Sequence, residues 1–144
     1  MTWVSRMLQV VPVNPDAELM RAMRAGAAGL KNGKILHIYP EGERGFDGQF
    51  HEFKKGAAIL ATELDLPVIP VGLDGLYKVW PRHSGRIRLA KVKVRFGEPF
   101  YARDIISESA ASAGVLTPAE KYTIVTDHLR ETIETMVAEM RSAN

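Results

Sequence analysis

Apolar residues recur along this chain at two periods, and the switches between them outline its elements. Residues 7–13 (MLQVVPV) form a short apolar run that reads as a strand. Asn14-Pro15 then looks like a helix N-cap with proline at the first helical position. Asp16 and Glu18 fall in the first turn, where the helix dipole favours acids. Leu19, Met23, Ala27 and Leu30 follow at helical spacing, and Asn32-Gly33 ends that helix. Residues 34–39 (KILHIY) read as a second strand stopped by Pro40. Residues 54–64 (KKGAAILATEL) read as an alanine-rich, buried helix. Residues 67–73 (PVIPVGL) are apolar on both faces, which predicts a central parallel strand limited by its two prolines.

Later segments carry clearer polarity. Arg86, Arg88, Lys91, Lys93 and Arg95 alternate with Ile87, Leu89, Val92, Val94 and Phe96, with one slip of phase near Ala90. This predicts a strand with one wet face and a bend or bulge. Gly97-Glu98-Pro99 ends it. Residues 101–116 are small and weakly patterned, a loop or a short helix at 103–109. Thr117-Pro118-Ala119-Glu120 spells a capping box. The helix after it places Tyr122, Val125, Leu129, Ile133, Met136 and Met140 on one stripe. Alternating strand and helix signals predict an α/β fold with a mixed, mostly parallel sheet flanked by helices.

Composition narrows the picture modestly. The chain has 144 residues, 46% of them hydrophobic, which suits a single domain over 1–144 with a real core. Cysteine is absent, so no disulfide framework, thiolate nucleophile or thiolate metal site exists here. Formal charge is only +2, yet seven basic residues and no acidic one lie between Lys78 and Arg95. Such a run is either a solvated face or a surface for an anionic partner. No apolar run is long enough to span a bilayer. Residues 1–15 do not read as a signal peptide, because their apolar part is short and interrupted by Arg6. Neither G-x-x-x-x-G-K-[ST] nor G-x-G-x-x-G occurs, which argues against a nucleotide-binding α/β protein.

The candidate chemistry sits at residues 39–56. Tyr39-Pro40-Glu41-Gly42-Glu43-Arg44-Gly45 is a polar, glycine-bearing turn after an apolar run. Phe53-Lys54-Lys55-Gly56 then opens a helix with two positive charges. Lysines at a helix start work against the dipole, so an anion nearby would be welcome. Backbone amides, a guanidinium and a carboxylate together make a pocket for a phosphate with hydroxyls attached.

These blocks, in order, resemble the glycerolipid acyltransferase family, whose best-known members make phosphatidic acid from lysophosphatidic acid. YPEGERG at 39–45, Gly48 with FKKGA at 53–57, and LPVIPVGL at 66–73 carry the likeness, which covers roughly residues 8–100. The resemblance implies a glycerol-3-phosphate acyltransferase-like fold. It implies transfer of an acyl group from acyl-CoA or acyl carrier protein, as co-substrate, to a lysophospholipid or glycerol phosphate hydroxyl. No further cofactor and no metal is implied. Glu41 would bind a glycerol hydroxyl or steady the loop, Gly42 would let backbone approach the acceptor, and Arg44 would contact phosphate. Lys54, Lys55 and Gly56 complete the implied acceptor site. An anionic membrane surface is the implied partner, at the inner, cytoplasmic face, with no role for nucleic acid.

One departure stands out. In the family, a histidine followed after four residues by aspartate supplies the general base and the group that orients it. Here the residues at that spacing from His37, His51, His83 and His128 are Gly42, Gly56, Arg88 and Ile133. The expectation is therefore a chain holding the C-terminal portion of the catalytic domain, N-terminally truncated, with no catalytic residue of its own. His37 reads as a structural strand residue and His51 as a surface residue, neither with an aspartate placed to orient it. A sheet cut in this way would show a bare apolar edge, poor solubility or self-association. The alternative is a catalytically inactive lipid- or membrane-binding module anchored by Trp3, Trp80 and the basic run.

Overall fold

The computed structural model describes residues 19–143 apart from 44, 46 and 83, with the side chains of 19–21 also outside the description. The expected strand at 7–13 and the Asn14-Pro15 cap lie outside the described residues. The chain divides into two compact units, Met1–Ile38 and Tyr39–Asn144.

In the first unit, helix α1 spans Leu19–Lys31. It ends where the Asn-Gly pair predicts. The Lys34 N–H reaches back to the Gly29 carbonyl at 3.1 Å, and Gly33 takes φ +72°. The expected strand at 34–39 does not form: these residues have no ladder partner among the described residues, and Ile35 is almost fully exposed. Apolar alternation over six residues marks a strand only where a neighbouring strand is present to pair with it.

The second unit is built on one long helix. Its elements are α2 (Gly56–Leu64), β1 (Pro67–Val68), β2 (Val71–Asp74), α3 (Leu76–Val79), β3 (Lys93–Phe96), β4 (Phe100–Tyr101), α4 (Ala102–Ala113) and α5 (Pro118–Ser142). The capping box forms as read. Thr117 Oγ1 accepts from the Glu120 N–H, and the Glu120 carboxylate accepts from the Thr117 N–H at 2.7 Å. Val125, Leu129, Ile133, Met136 and Val137 are the buried face of α5. One core cluster joins Phe53 to Leu129, Ile133 and Val137, and a second joins Ala58, Ala61, Ala102 and Val125. The small alanine side chains let α2 and α4 pack against α5 at Val125.

The sheet differs from the expected mostly parallel one. Among the described residues it consists of two antiparallel pairs, β1 with β4 and β2 with β3. Pro70 is the cause of the break between β1 and β2, since it has no N–H to donate. Ile69 and Pro70 on one side face Gly97, Glu98 and Pro99 on the other, so the second strand carries one extra residue. The Gly97 N–H still bonds the Pro70 carbonyl at 2.9 Å.

The faces of β3 are also the reverse of a simple reading. Val71 pairs with Phe96 and Leu73 with Val94 on one face, while Gly72 pairs with Arg95 and Asp74 with Lys93 on the other. The second face lies against α5. A Cβ on Gly72 would stand 3.2 Å from Met140 and 3.4 Å from Met136. Arg95 bonds Glu139, the Lys93 ammonium bonds the Met140 carbonyl, and Arg141 bonds Asp74 at 2.9 Å. The basic face is thus covered by a helix C-terminal end, where cations are favoured. The apolar face is open, with Val94 and Phe96 exposed. Residues 86–92, expected in the same strand, have no ladder partner among the described residues.

Candidate acceptor site

The loop at 39–54 is a closed structure rather than a free excursion. The Gly42 N–H bonds the Tyr39 carbonyl at 3.0 Å, closing a turn with Pro40 and Glu41 at its centre. Gly42 leaves that turn at φ +76°, a conformation that costs other residues energy. At the far end, the Lys54 N–H bonds the Pro40 carbonyl at 2.7 Å and draws the loop shut. Phe53, buried beside Leu129 and Ile133, anchors that end to the core.

This closure brings Glu41, Gly42 and Lys54 together. The Lys54 stem passes 3.6 Å from where a Gly42 Cβ would be, and the Glu41 carboxylate lies 4.0 Å from the corresponding point on Gly45. Glu41 is half-buried, and burial raises its carboxyl above the ordinary 4.5. His51 partly offsets this, while Asp47 and Glu43 add to it.

Other expected residues fall differently. Lys55 turns away from the loop and donates to Thr123 Oγ1 at 2.7 Å on α5. Gly56 is the first residue of α2, a helix start with no side-chain cap. Its neighbouring N–H groups are the kind of donors an anion can use. Arg44 lies outside the described residues. An open groove runs between Gln49, Phe50 and the Val137–Arg141 end of α5, and the expected acceptor residues do not line it.

The structure corrects one reading directly. His51 does have an orienting carboxylate: its Nε2 lies 3.0 Å from Asp47 Oδ1. Asp47 also accepts the Gln49 N–H at 2.9 Å, and that bond is the main cause of its lowered pKa, with His51 contributing. The order histidine then aspartate misses this pair, because here the aspartate comes four residues earlier. The family's spacing read backwards from His51 falls on Phe46, so only a search for an aspartate four positions before each histidine finds the pair. Two further contacts span longer distances. Arg82 bonds Glu43 at 2.7 Å, and Gly48 packs under the Tyr77 ring, which lies 3.2 Å from where a Gly48 Cβ would be.

Comparison with known proteins identifies the family. A profile of the Acyltransferase family matches residues 1–74, a span that includes the whole loop and β2. The chain belongs to that family. It is 30% identical over 131 residues to the 1-acyl-sn-glycerol-3-phosphate acyltransferase of Cocos nucifera, covering 91% of this chain and 41% of that protein. It is 32% identical over 119 residues to the chloroplastic 1-acyl-sn-glycerol-3-phosphate acyltransferase LPAT1 of Arabidopsis thaliana, covering 76% of this chain and 32% of that one. The crystal structure of the 1-acyl-sn-glycerophosphate acyltransferase PlsC from Thermotoga maritima superposes with a TM-score of 0.67 at 27% identity, over 84% of this chain and 44% of that chain. The fold is therefore the acyltransferase fold, and the chain spans less than half the length of these relatives.

Proposed function

We propose that this chain supplies the acceptor-holding part of a glycerolipid O-acyltransferase, as the C-terminal portion of that family's catalytic domain. The acceptor is a lysophospholipid or glycerol phosphate, and the donor is an acyl thioester of coenzyme A or acyl carrier protein. In the reaction the acceptor hydroxyl oxygen attacks the thioester carbonyl, its proton passes to a base, the C–S bond breaks, and the thiolate leaves and takes a proton. Within this scheme Glu41 accepts a hydrogen bond from a glycerol hydroxyl. The Gly42 backbone allows close approach, Lys54 contacts the phosphate, and the family resemblance gives Arg44 the same role. The N–H groups of the first turn of α2, at Gly56, add to that recognition, and Lys55, tied to Thr123, contributes only to the local field. No histidine in the chain is followed at the family's spacing by aspartate, so these residues are assigned to binding rather than to proton transfer.

The observation that carries the reading is the clamp from Lys54 to Pro40, which sets Glu41, Gly42 and Lys54 side by side. Calorimetric titration with 1-acyl-sn-glycerol-3-phosphate tests it. Saturable binding is expected, weakened about tenfold or more by Lys54→Gln, because one charge-assisted contact is worth about 1.5–3 kcal/mol. A neutral monoacylglycerol binding equally well, or Lys54→Gln and Arg44→Gln both binding like the parent chain, would remove the reading.

A further inference from the structure

The loop that closes on Lys54 is rich in carboxylates for a place that receives a phosphate. Between Tyr39 and Lys54 it carries Glu41, Glu43, Asp47 and Glu52. Two of them are met by a cationic side chain. Arg82, from the segment after α3, bonds Glu43 at 2.7 Å, and His51 Nε2 lies 3.0 Å from Asp47 Oδ1. Glu52 acts on Arg130 of α5. Glu41 has no bonded cation among the described residues, and His51 is the charge that draws its carboxyl down against Asp47 and Glu43. The other titratable groups about the pair are Lys54, at the closed end of the loop, and Tyr77 of α3, whose ring rests on Gly48.

A guanidinium is always charged, whereas an imidazole changes charge between about pH 5 and 8. Asp47 decides what that change means here. Its carboxylate also takes the Gln49 N–H at 2.9 Å and can only accept, so Nε2 keeps its proton in both states of the ring. The proton that comes and goes is the one on Nδ1. With it, Asp47 and His51 are neutral as a pair. Without it, the pair is a net negative charge inside a loop that already holds Glu41. The two side chains are 33% and 42% exposed, so the proton exchanges with solvent.

We propose that His51, held by Asp47, sets the charge of the acceptor site, so that binding a phosphate-bearing acceptor draws a proton from the buffer onto His51 Nδ1. Linkage is reciprocal: a ligand that favours the imidazolium is itself bound more tightly by it. Acceptor affinity therefore gains a contribution that grows as pH falls through the titration of His51. The inference rests on the acceptor reading and adds to it a residue outside the blocks that carry the family likeness. His51 acts by its charge and abstracts no proton from the acceptor. The ligand phosphate, whose second ionisation lies near pH 6, titrates in the same range, and that change is common to every variant of the chain.

The test is calorimetric titration of the full chain with 1-acyl-sn-glycerol-3-phosphate, in buffers of different ionisation enthalpy, which counts the protons taken up. Near neutral pH the parent should take up more than His51→Gln does, by a fraction of one proton. Between about pH 5 and 8, the parent should bind about fivefold or more tighter than His51→Gln at the acid end and equally at the alkaline end. Asp47→Asn keeps an oxygen for the Gln49 N–H, and should bind more tightly than the parent at the alkaline end, where the parent's pair is negative. His128→Gln, on α5, should keep the parent's proton uptake, and thermal unfolding checks that each variant folds. Equal uptake by the parent and His51→Gln would overturn the proposal. So would a loss in His51→Gln that is the same at every pH, which marks a structural role, or weaker alkaline binding by Asp47→Asn. A parent chain that binds at no pH would remove the acceptor reading itself, and this inference with it.

Discussion

Glu41 sits in the site at a cost to the fold. Burial holds its carboxyl above 4.5, so protonation favours the folded state. That favourable contribution is complete below the ordinary pKa and is lost as pH rises through the raised value. Glu41→Gln should therefore gain stability over the parent on going from pH 4 to neutrality, and urea denaturation across that range measures it. A residue retained against stability is what an acceptor ligand would explain. Gly75 shows the opposite case, a residue needed by the backbone. Gly75→Ala meets both the positive φ and the Lys91 carbonyl, and should destabilise by about 2–3 kcal/mol or more in thermal or urea unfolding. The placing of Glu41, Gly42 and Lys54 in one closed loop was legible in sequence because they meet through turns of short reach. Lys55 was not, because its partner Thr123 is 68 residues away. Asp47 and His51 are close in sequence, but they stand in the reverse of the family's order and one position nearer than its spacing.

Elements were legible where the pattern is long or the end is chemically marked. The Thr117–Glu120 box and the stripe of α5 survive intact because a 25-residue helix averages over many positions. Thr117→Ala should lose about 1 kcal/mol, seen as a fall in Tm of several degrees. The short strands were harder. Alternation in 86–96 separates two faces but does not say which face a neighbour covers. In β3 the covering helix lies on the basic face, because Glu139 and the carbonyl end of α5 stabilise Arg95 and Lys93 there. Parallel order was inferred from apolar density at 67–73. The bent antiparallel pairing was not visible, because it depends on Pro70 facing the Gly97–Pro99 bend across the sheet.

At the scale of the molecule, an ion pair helps tie the sheet of the second unit to the end of its long helix. The Arg141 guanidinium beside Asp74 holds that carboxyl below its ordinary 3.8. This contribution is present above the ordinary value and is lost as pH falls through the lowered one. Arg141→Gln should cost about 0.5 kcal/mol at neutral pH, in the range of exposed pairs, and the difference should shrink as pH falls below 4 in acid denaturation. The same architecture sets the central claim, that a clamped loop and the start of α2 together hold a phosphate-bearing acceptor. Amide-resolved NMR titration with 1-acyl-sn-glycerol-3-phosphate tests this most directly. The account predicts saturable shifts at the Gly42, Gly45 and Gly56 amides, with the midpoint moved to about tenfold or more higher ligand concentration by Lys54→Gln. Shifts confined to Gln49, Phe50 and the Val137–Arg141 groove, with Gly42 and Gly56 unmoved, would contradict it.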